Sequence, residues 1–329
     1  MKSPYLSDIK PNQVFTTTFL VHVKDVRQKK SGEPYLSLML GDRTGEADAK
    51  MWDNVGEVMD TFERDDFVKV KGLLQVFQNR LQIAVHKMTR VLDSDVDFTD
   101  FFPASTRDPL EMFAELRALA AAMHNPHLRA LVDAFLDDEP LARMYRVAPA
   151  AKHVHHAYLG GLIEHVLSVC RLCQVTASHY GNLDLDLLLT GAILHDVGKV
   201  AELTYERSFG YSSEGQLLGH IVIGLRLLHD KLQRLPDFPP KLRVLVEHLI
   251  VSHHGELDKG ALKQPMLPEA LAVSIMDLLD ARLEQAWTLI DQAPKDEEWT
   301  VYAPSLGRQL YRWRPREAVD VSGSSSFAT

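Results

Sequence analysis

Apolar and polar positions alternate with a period of two from Val14 to about Val91, then repeat with a helical period from Leu110 onward. The first region reads "VFTTTFLVHVKDVRQ", "PYLSLMLGD", "EADAKMWD", "DFVKVKGLLQVF" and "RLQIAVHKMTRV", separated by the short turns "KKSGEP", "DRTGE" and "FQNR". Five short strands with tight turns in so few residues predict a small closed barrel, with a helical piece near "NVGEVMDTF". The stretch "DSDVDFTDFFPASTRDP" is acidic, holds two prolines and keeps no period, so it reads as a linker. Beyond it, "LEMFAELRALAAAM", "GGLIEHVLSVCRLCQVTASHY", "LLGHIVIGLRLLHDKLQRL", "PPKLRVLVEHLIVSHHG" and "PEALAVSIMDLLDARLEQAW" predict helices. The run "LDLLLTGAILHDVGKV" reads as one more helix, with His195 and Asp196 about 100° apart around it and Lys199 on nearly the same face as Asp196. The division expected is therefore a barrel at 1–92, a linker at 93–109, a helical domain at 110–310 and a tail at 311–329, its "VSGSSSFAT" end disordered.

Composition changes this picture little. No apolar run approaches the ~20 residues of a membrane span, and "MKSPYLSDIKPNQ" lacks the apolar stretch of a leader. Two cysteines make a disulfide framework improbable and a reducing cytoplasm the expected setting. The net charge of −9 argues against a nucleic-acid partner until it is divided. Residues 1–92 carry 14 basic against 12 acidic side chains, the remainder 22 against 33. The acidity belongs to the helical part.

Eleven of the 15 histidines fall between His153 and His254. His165 in "GLIEHVL", the His195–Asp196 pair in "AILHDVGK", His220 in "LGHIVIG" and Asp277 in "VSIMDLLDA" interrupt apolar faces. An unpaired imidazole or carboxylate there is costly. His253 and His254 close a helix in "VSHHGE". Imidazoles with carboxylates suit Mn, Fe, Ni, Co or Zn, whereas calcium sites are all oxygen. A carboxylate has two oxygens, so Asp196 can bridge two ions while His195 binds one. Cys170 and Cys173 form a C-x-x-C without a second pair, set mid-helix among apolar residues, and are expected to pack in the core.

The order H…HD…H…HH…D, with HD continuing as "HDVGK", resembles the HD-domain superfamily of metal-dependent phosphohydrolases. The resemblance implies His165, His195, Asp196 and Asp277 as ligands of a core metal, and His220 with His253, His254 or both as ligands of a second. A nucleic-acid-type barrel ahead of such a domain, with "HHAYLGGLIEH", "LLGHIVIG" and "SHHGE", resembles the YhaM-type 3′-5′ exoribonucleases. That likeness implies an N-terminal OB-fold followed by an all-α HD domain. It also implies release of nucleoside 5′-monophosphates from single-stranded RNA, and from single-stranded DNA as a further substrate. The cofactor implied is one or two divalent ions, manganese foremost, with Mg, Co, Ni, Fe and Zn as alternatives.

In that setting the ions neutralise phosphoryl charge and lower the pKa of the attacking water from 15.7 toward roughly 7. Asp196 and Lys199 are the expected catalytic pair, Lys199 facing a phosphate oxygen or the leaving group. His155 and His156 are candidates for phosphate contact or proton transfer. In the barrel, Phe19, Tyr35, Trp52 and Phe77 are candidate base-stacking residues, with Arg80 among the basic side chains for phosphates, although a barrel also needs aromatics for its own interior. Two other readings compete: a hydrolase of nucleotides or cyclic dinucleotides, and a non-catalytic RNA-binding regulator. No "GYP" follows "SHHGELDKG", which counts against the HD-GYP cyclic-di-GMP hydrolases, and an intact ligand set counts against a regulator. A homo-oligomer is a further candidate, since grouped subunits would help to thread a strand.

Overall fold

A computed structural model describes residues 2–77, 80–152, 156–205, 209–294 and 296–313. Five strands close the N-terminal barrel: β1 (Val14–Gln28), β2 (Pro34–Asp42), β3 (Gly45–Met51), β4 (Phe67–Phe77) and β5 (Arg80–Val91). A single-turn helix, α1 (Val55–Val58), joins β3 to β4. The strand order is β1-β2-β3-β5-β4, antiparallel throughout except for the parallel β3–β5 pair, and β4 returns to β1. This is the OB-fold. Alternation puts Val68 and Val70 inside and Lys69 and Lys71 outside on β4. Phe19, Leu36, Leu38, Leu40, Leu74 and Ile83 complete the barrel core.

The stretch expected to be a linker is packed. Two 3₁₀ turns, Asp93–Asp95 and Phe98–Asp100, bring a run of aromatics against the barrel wall. Phe67 meets Phe98 edge-on (ring centroids 5.4 Å apart) and Phe101 (4.6 Å), and Phe102 stacks on Phe209 of the helical region (5.4 Å). Leu20, Phe67, Phe101, Phe102 and Leu159 form a small core of their own, so barrel and helices share buried apolar surface. Asp100 adds polar clasps, accepting the Lys2 backbone N–H (2.8 Å) and the Tyr5 hydroxyl.

The helices follow as α2 (Pro109–Ala121), α3 (Pro126–Leu136), α4 (Glu139–Val147), α5 (Gly161–Tyr180), α6 (Leu185–Leu194) and α7 (Lys199–Glu202). A short hairpin, β6 (Leu203–Thr204) with β7 (Gly210–Tyr211), precedes α8 (Ser213–Leu232), α9 (Pro240–Ser252) and α10 (Pro268–Gln292). Side-chain N-caps start many of them: Asp108, Asn125, Asp138, Asp184 and Ser212 each accept a first-turn N–H. Such a cap contributes about 1 kcal/mol. α6 is buried nearly all round and lies at the centre, against α5, α9 and α10. Cys170 and Cys173 are buried in this core as free thiols. No helix among the described residues is long and apolar enough to cross a membrane. Trp299 pairs with Tyr311 in the last described segment, and residues 314–329, with most of the expected tail, lie outside the described residues.

Candidate metal centre

Five separate elements send side chains to one buried point. α5 supplies His165, the α6–α7 connection His195 and Asp196, α8 His220, the end of α9 His253 and His254, and α10 Asp277. The expectation of one continuous helix through "GAILHDVGKV" is corrected: α6 ends at Leu194, and residues 195–198 form a turn before α7. The turn is tight, with Val197 N–H bonded to Leu194 O and Lys199 N–H to Asp196 O, each three residues apart. From it His195 Nε2 and Asp196 Oδ2 come within 3.4 Å of each other. α8 is likewise not one straight helix. Gly219 (φ 72°, ψ 160°) breaks it and aims His220 inward.

The donor atoms divide into two groups around Asp196. On one side, His165 Nε2 lies 3.2 Å from Asp277 Oδ1 and 3.3 Å from His195 Nε2, while His195 Nε2 is 3.4 Å from Asp196 Oδ2. On the other, Asp196 Oδ1 faces His220 Nε2 at 3.5 Å and His253 Nε2 at 3.6 Å, and those two nitrogens are 3.4 Å apart. Each of the triplets His165–His195–Asp277 and His220–His253–His254 has ligand atoms within 4.8 Å of one another, the spread a single ion can gather. Asp196 Oδ1 is buried and has no hydrogen-bond donor among the described residues, nor has His254 Nδ1. Buried polar atoms normally have partners. An orphaned carboxylate oxygen amid imidazole nitrogens fits a cation.

The far side of four of the five imidazoles is tied down. His165 Nδ1 donates to Asp280 Oδ2 (2.7 Å), His195 Nδ1 to Ala192 O (2.9 Å), His253 Nδ1 to Ile250 O (2.7 Å) and His220 Nδ1 to Glu202 Oε1 (3.1 Å). These bonds select the tautomer with a free Nε2 lone pair, as metal-ligating histidines require. Asp280 is itself held by the Ser168 hydroxyl. Burial opposes protonation of His165, yet hydrogen bonds to Asp277 and Asp280 outweigh it and raise the pKa to about 9. Burial, then the neighbouring His195, pushes His253 well below the usual range. Burial would raise Asp196, but the Lys199 ammonium and His195 hold it well below an ordinary carboxylate.

Lys199 Nζ contacts Asp196 Oδ2 at 2.6 Å, so the expected Asp196–Lys199 pair exists although a turn rather than one helix carries it. His156, at φ 48°, is buried beside the first group, its Nε2 3.9 Å from Asp280 Oδ2. His155 lies outside the described residues, as does the side chain of Arg80 at the start of β5. In the barrel the aromatics separate. Phe19 is fully buried in the core and is corrected as a stacking candidate. Trp52 and Phe77 are exposed, and Tyr35 stacks on Trp52 with centroids 4.5 Å apart at 22°. These barrel residues do not join the metal centre.

Asp280 and Glu202 escaped the sequence reading. Asp280 had a legible signal, since it follows Asp277 by three on α10 and so shares its face. Glu202 had none, because its contact depends on the break in α8.

The HD domain family matches residues 162–282, and the OB-fold nucleic acid binding domain family matches residues 20–91. Three curated relatives are each named 3′-5′ exoribonuclease YhaM. The protein from Bacillus subtilis is 35% identical over 284 residues, 86% of this chain and 89% of its own length. That from Shouchella clausii is 34% identical over 255 residues, 77% of this chain and 79% of its own. That from Geobacillus sp. is 32% identical over 264 residues, 80% of this chain and 79% of its own.

Proposed function

The chain belongs to the YhaM family of 3′-5′ exoribonucleases, and from that premise we propose that it shortens single-stranded RNA from the 3′ end, releasing nucleoside 5′-monophosphates. The observation that carries the catalytic assignment is Asp196, whose two oxygens face two separate ligand groups while one of them lacks any hydrogen-bond donor among the described residues. His165, His195 and Asp277 would hold one divalent ion and His220, His253 and His254 a second, with the Asp196 carboxylate between the two groups. Bound there, the ions supply positive charge for the phosphoryl oxygens and lower the pKa of the attacking water. The mixed imidazole and carboxylate set suits Mn, Fe, Ni, Co or Zn, and the likeness to the YhaM family puts manganese foremost.

Lys199 stays protonated, because the Asp196 carboxylate offsets the burial that would lower its pKa. Its ammonium meets a non-bridging oxygen or the 3′ oxygen of the leaving chain. His156, and His155 ahead of it, contribute phosphate contacts. The pocket over the centre, about 190 Å³, is lined by Asp196, Lys199, His253, His254, Asp277 and Leu278, among others, and is where the chain end would enter. The barrel, residues 1–92, grips the strand through Tyr35, Trp52, Phe77 and Arg80, and 93–109 fixes it against the helical domain at 110–310. RNA is the preferred strand, with single-stranded DNA a weaker substrate, and the setting is the cytoplasm. Self-association is supported by an exposed apolar ridge on α10: Leu271, Ile275, Leu279, Leu283 and Trp287 recur every four residues.

A substrate panel tests this reading. Metal-loaded protein is incubated with 5′-labelled single-stranded RNA, single-stranded DNA, mononucleotides and cyclic dinucleotides. A ladder shortening from the 3′ end with monophosphate products is expected. Turnover of small nucleotides alone would reject it.

A further inference from the structure

Glu202 is buried at the end of α7 and has no part in the chemistry set out above. Its Oε1 accepts two hydrogen bonds, both from His220: the backbone N–H at 2.9 Å and Nδ1 at 3.1 Å. The break at Gly219 explains the first, because it takes the His220 N–H out of the regular helical ladder and leaves it needing an acceptor. The second sets His220 apart from His195 and His253 and pairs it with His165, whose Nδ1 likewise meets a carboxylate from another element, Asp280. His195 and His253 tie Nδ1 to a carbonyl three residues back on their own segments, Ala192 O and Ile250 O. His220, just past the break, uses a carboxylate from another element.

The backbone that carries that carboxylate is itself fixed. Ser212 N–H donates to Glu202 O (2.9 Å), and the Ser212 hydroxyl donates to Ala201 O (2.7 Å). Gly215 packs so closely that a Cβ there would lie 2.2 Å from Glu202 O. On the facing side, a Cβ at Gly198 would lie 1.9 Å from His220 O, so the turn bearing His195 and Asp196 rests directly on His220.

We infer that Glu202 is the positioning residue of the second half-site, holding His220 with its Nε2 lone pair free and aimed at Asp196 Oδ1, so that occupancy of the His220–His253–His254 group depends on Glu202 while occupancy of the His165–His195–Asp277 group does not. The inference deepens the proposed function and rests on its two-ion reading. Outer partners of metal-bound histidines govern affinity because they fix tautomer and ring orientation together.

The test is manganese binding to the full chain by equilibrium dialysis with elemental analysis, alongside thermal melting and kcat/KM on single-stranded RNA. Wild type, Glu202→Ala, Glu202→Gln and His220→Ala are compared. The wild type should bind two ions and His220→Ala one. Glu202→Ala should keep the first ion at wild-type affinity and bind the second about 10–100-fold more weakly. Glu202→Gln keeps an acceptor oxygen and should recover most of that loss. Two ions at wild-type affinity in Glu202→Ala, with His220→Ala losing one, would overturn the role of Glu202 alone. Loss of both ions in both Glu202 variants would also overturn it, as a general structural effect. A wild type that binds one ion, or a His220→Ala variant that keeps both, would overturn the two-ion reading and this inference with it.

Discussion

Gly198→Ala tests the packing that builds the metal centre. Gly198 has φ −65° and ψ −19°, which any residue adopts, so alanine brings no backbone strain. The conflict is steric. Its Cβ would stand 1.9 Å from His220 O and 2.7 Å from Gly224 N, both backbone atoms that no side-chain rotation can move. Reaching an ordinary contact of about 3.4 Å forces the 195–198 turn and α8 apart by about 1.5 Å. That displacement falls on the 3.5 Å approach of His220 Nε2 to Asp196 Oδ1. Overpacking of this kind costs about 1–3 kcal/mol of stability. A misplacement of 1 Å in reacting groups costs about 10²-fold in rate. Gly224→Ala serves as the control on the same helix interface, since its nearest contacts would be 3.6 Å and a helical alanine gains up to about 1 kcal/mol over glycine. Differential scanning calorimetry and kcat on a short RNA read both variants. The expected result is a lowered Tm and a roughly hundredfold loss of kcat for Gly198→Ala, with Gly224→Ala near wild type. A Gly198→Ala protein with wild-type Tm and rate, or equal damage in the two variants, would refute the reasoning.

His165 predicts a proton linkage. With a pKa of about 9 in the metal-free protein it is mostly protonated at pH 7.5, and an ion must displace that proton to bind Nε2. Calorimetric titration with manganese in buffers of different ionisation enthalpy should show about one proton released per chain from this group at pH 7.5, fading above pH about 9. Affinity independent of pH between 7 and 9 would contradict it. The sign for stability follows too. The folded pKa exceeds the ordinary 6.5, so His165 stabilises the metal-free fold fully below that value and loses this contribution as pH rises through about 9. For the barrel, Trp52→Ala should lower stability only by the ~0.5–1.5 kcal/mol of its stack on Tyr35, yet raise KM for long RNA by the fold-change matching the ~1–3 kcal/mol of one lost base stack. An unchanged KM would remove Trp52 from the RNA path.

The ligand set was legible because its residues break apolar helical faces, and a histidine beside an aspartate inside "GAILHDVGK" has little other reason to be buried. That Asp196 faces both groups, Oδ2 toward His195 and Oδ1 toward His220 and His253, agrees with what a carboxylate's two oxygens allow. What periodicity did not show was the turn at 195–198. His195 and Gly198, at its two ends, keep near-helical dihedral angles, and the change to bonds three residues apart leaves no mark in the hydrophobic pattern. The barrel aromatics show a different limit. Strand alternation says that neighbours face opposite ways, but Phe19 goes to the core and Trp52, just past the end of β3, to the surface for reasons of closure and strand ends. The packing of 93–109 was hidden for a third reason. Phe98, Phe101 and Phe102 keep no period, and they find partners only where barrel and helices meet.

Asp196→Asn tests the central claim most directly, since asparagine keeps the shape and removes the charge that both ligand groups share. With 5′-labelled single-stranded RNA in manganese, the wild type should produce a ladder receding from the 3′ end that a chelator stops. Folded Asp196→Asn should still bind the RNA and leave it intact. Degradation at the wild-type rate by that variant would contradict the account.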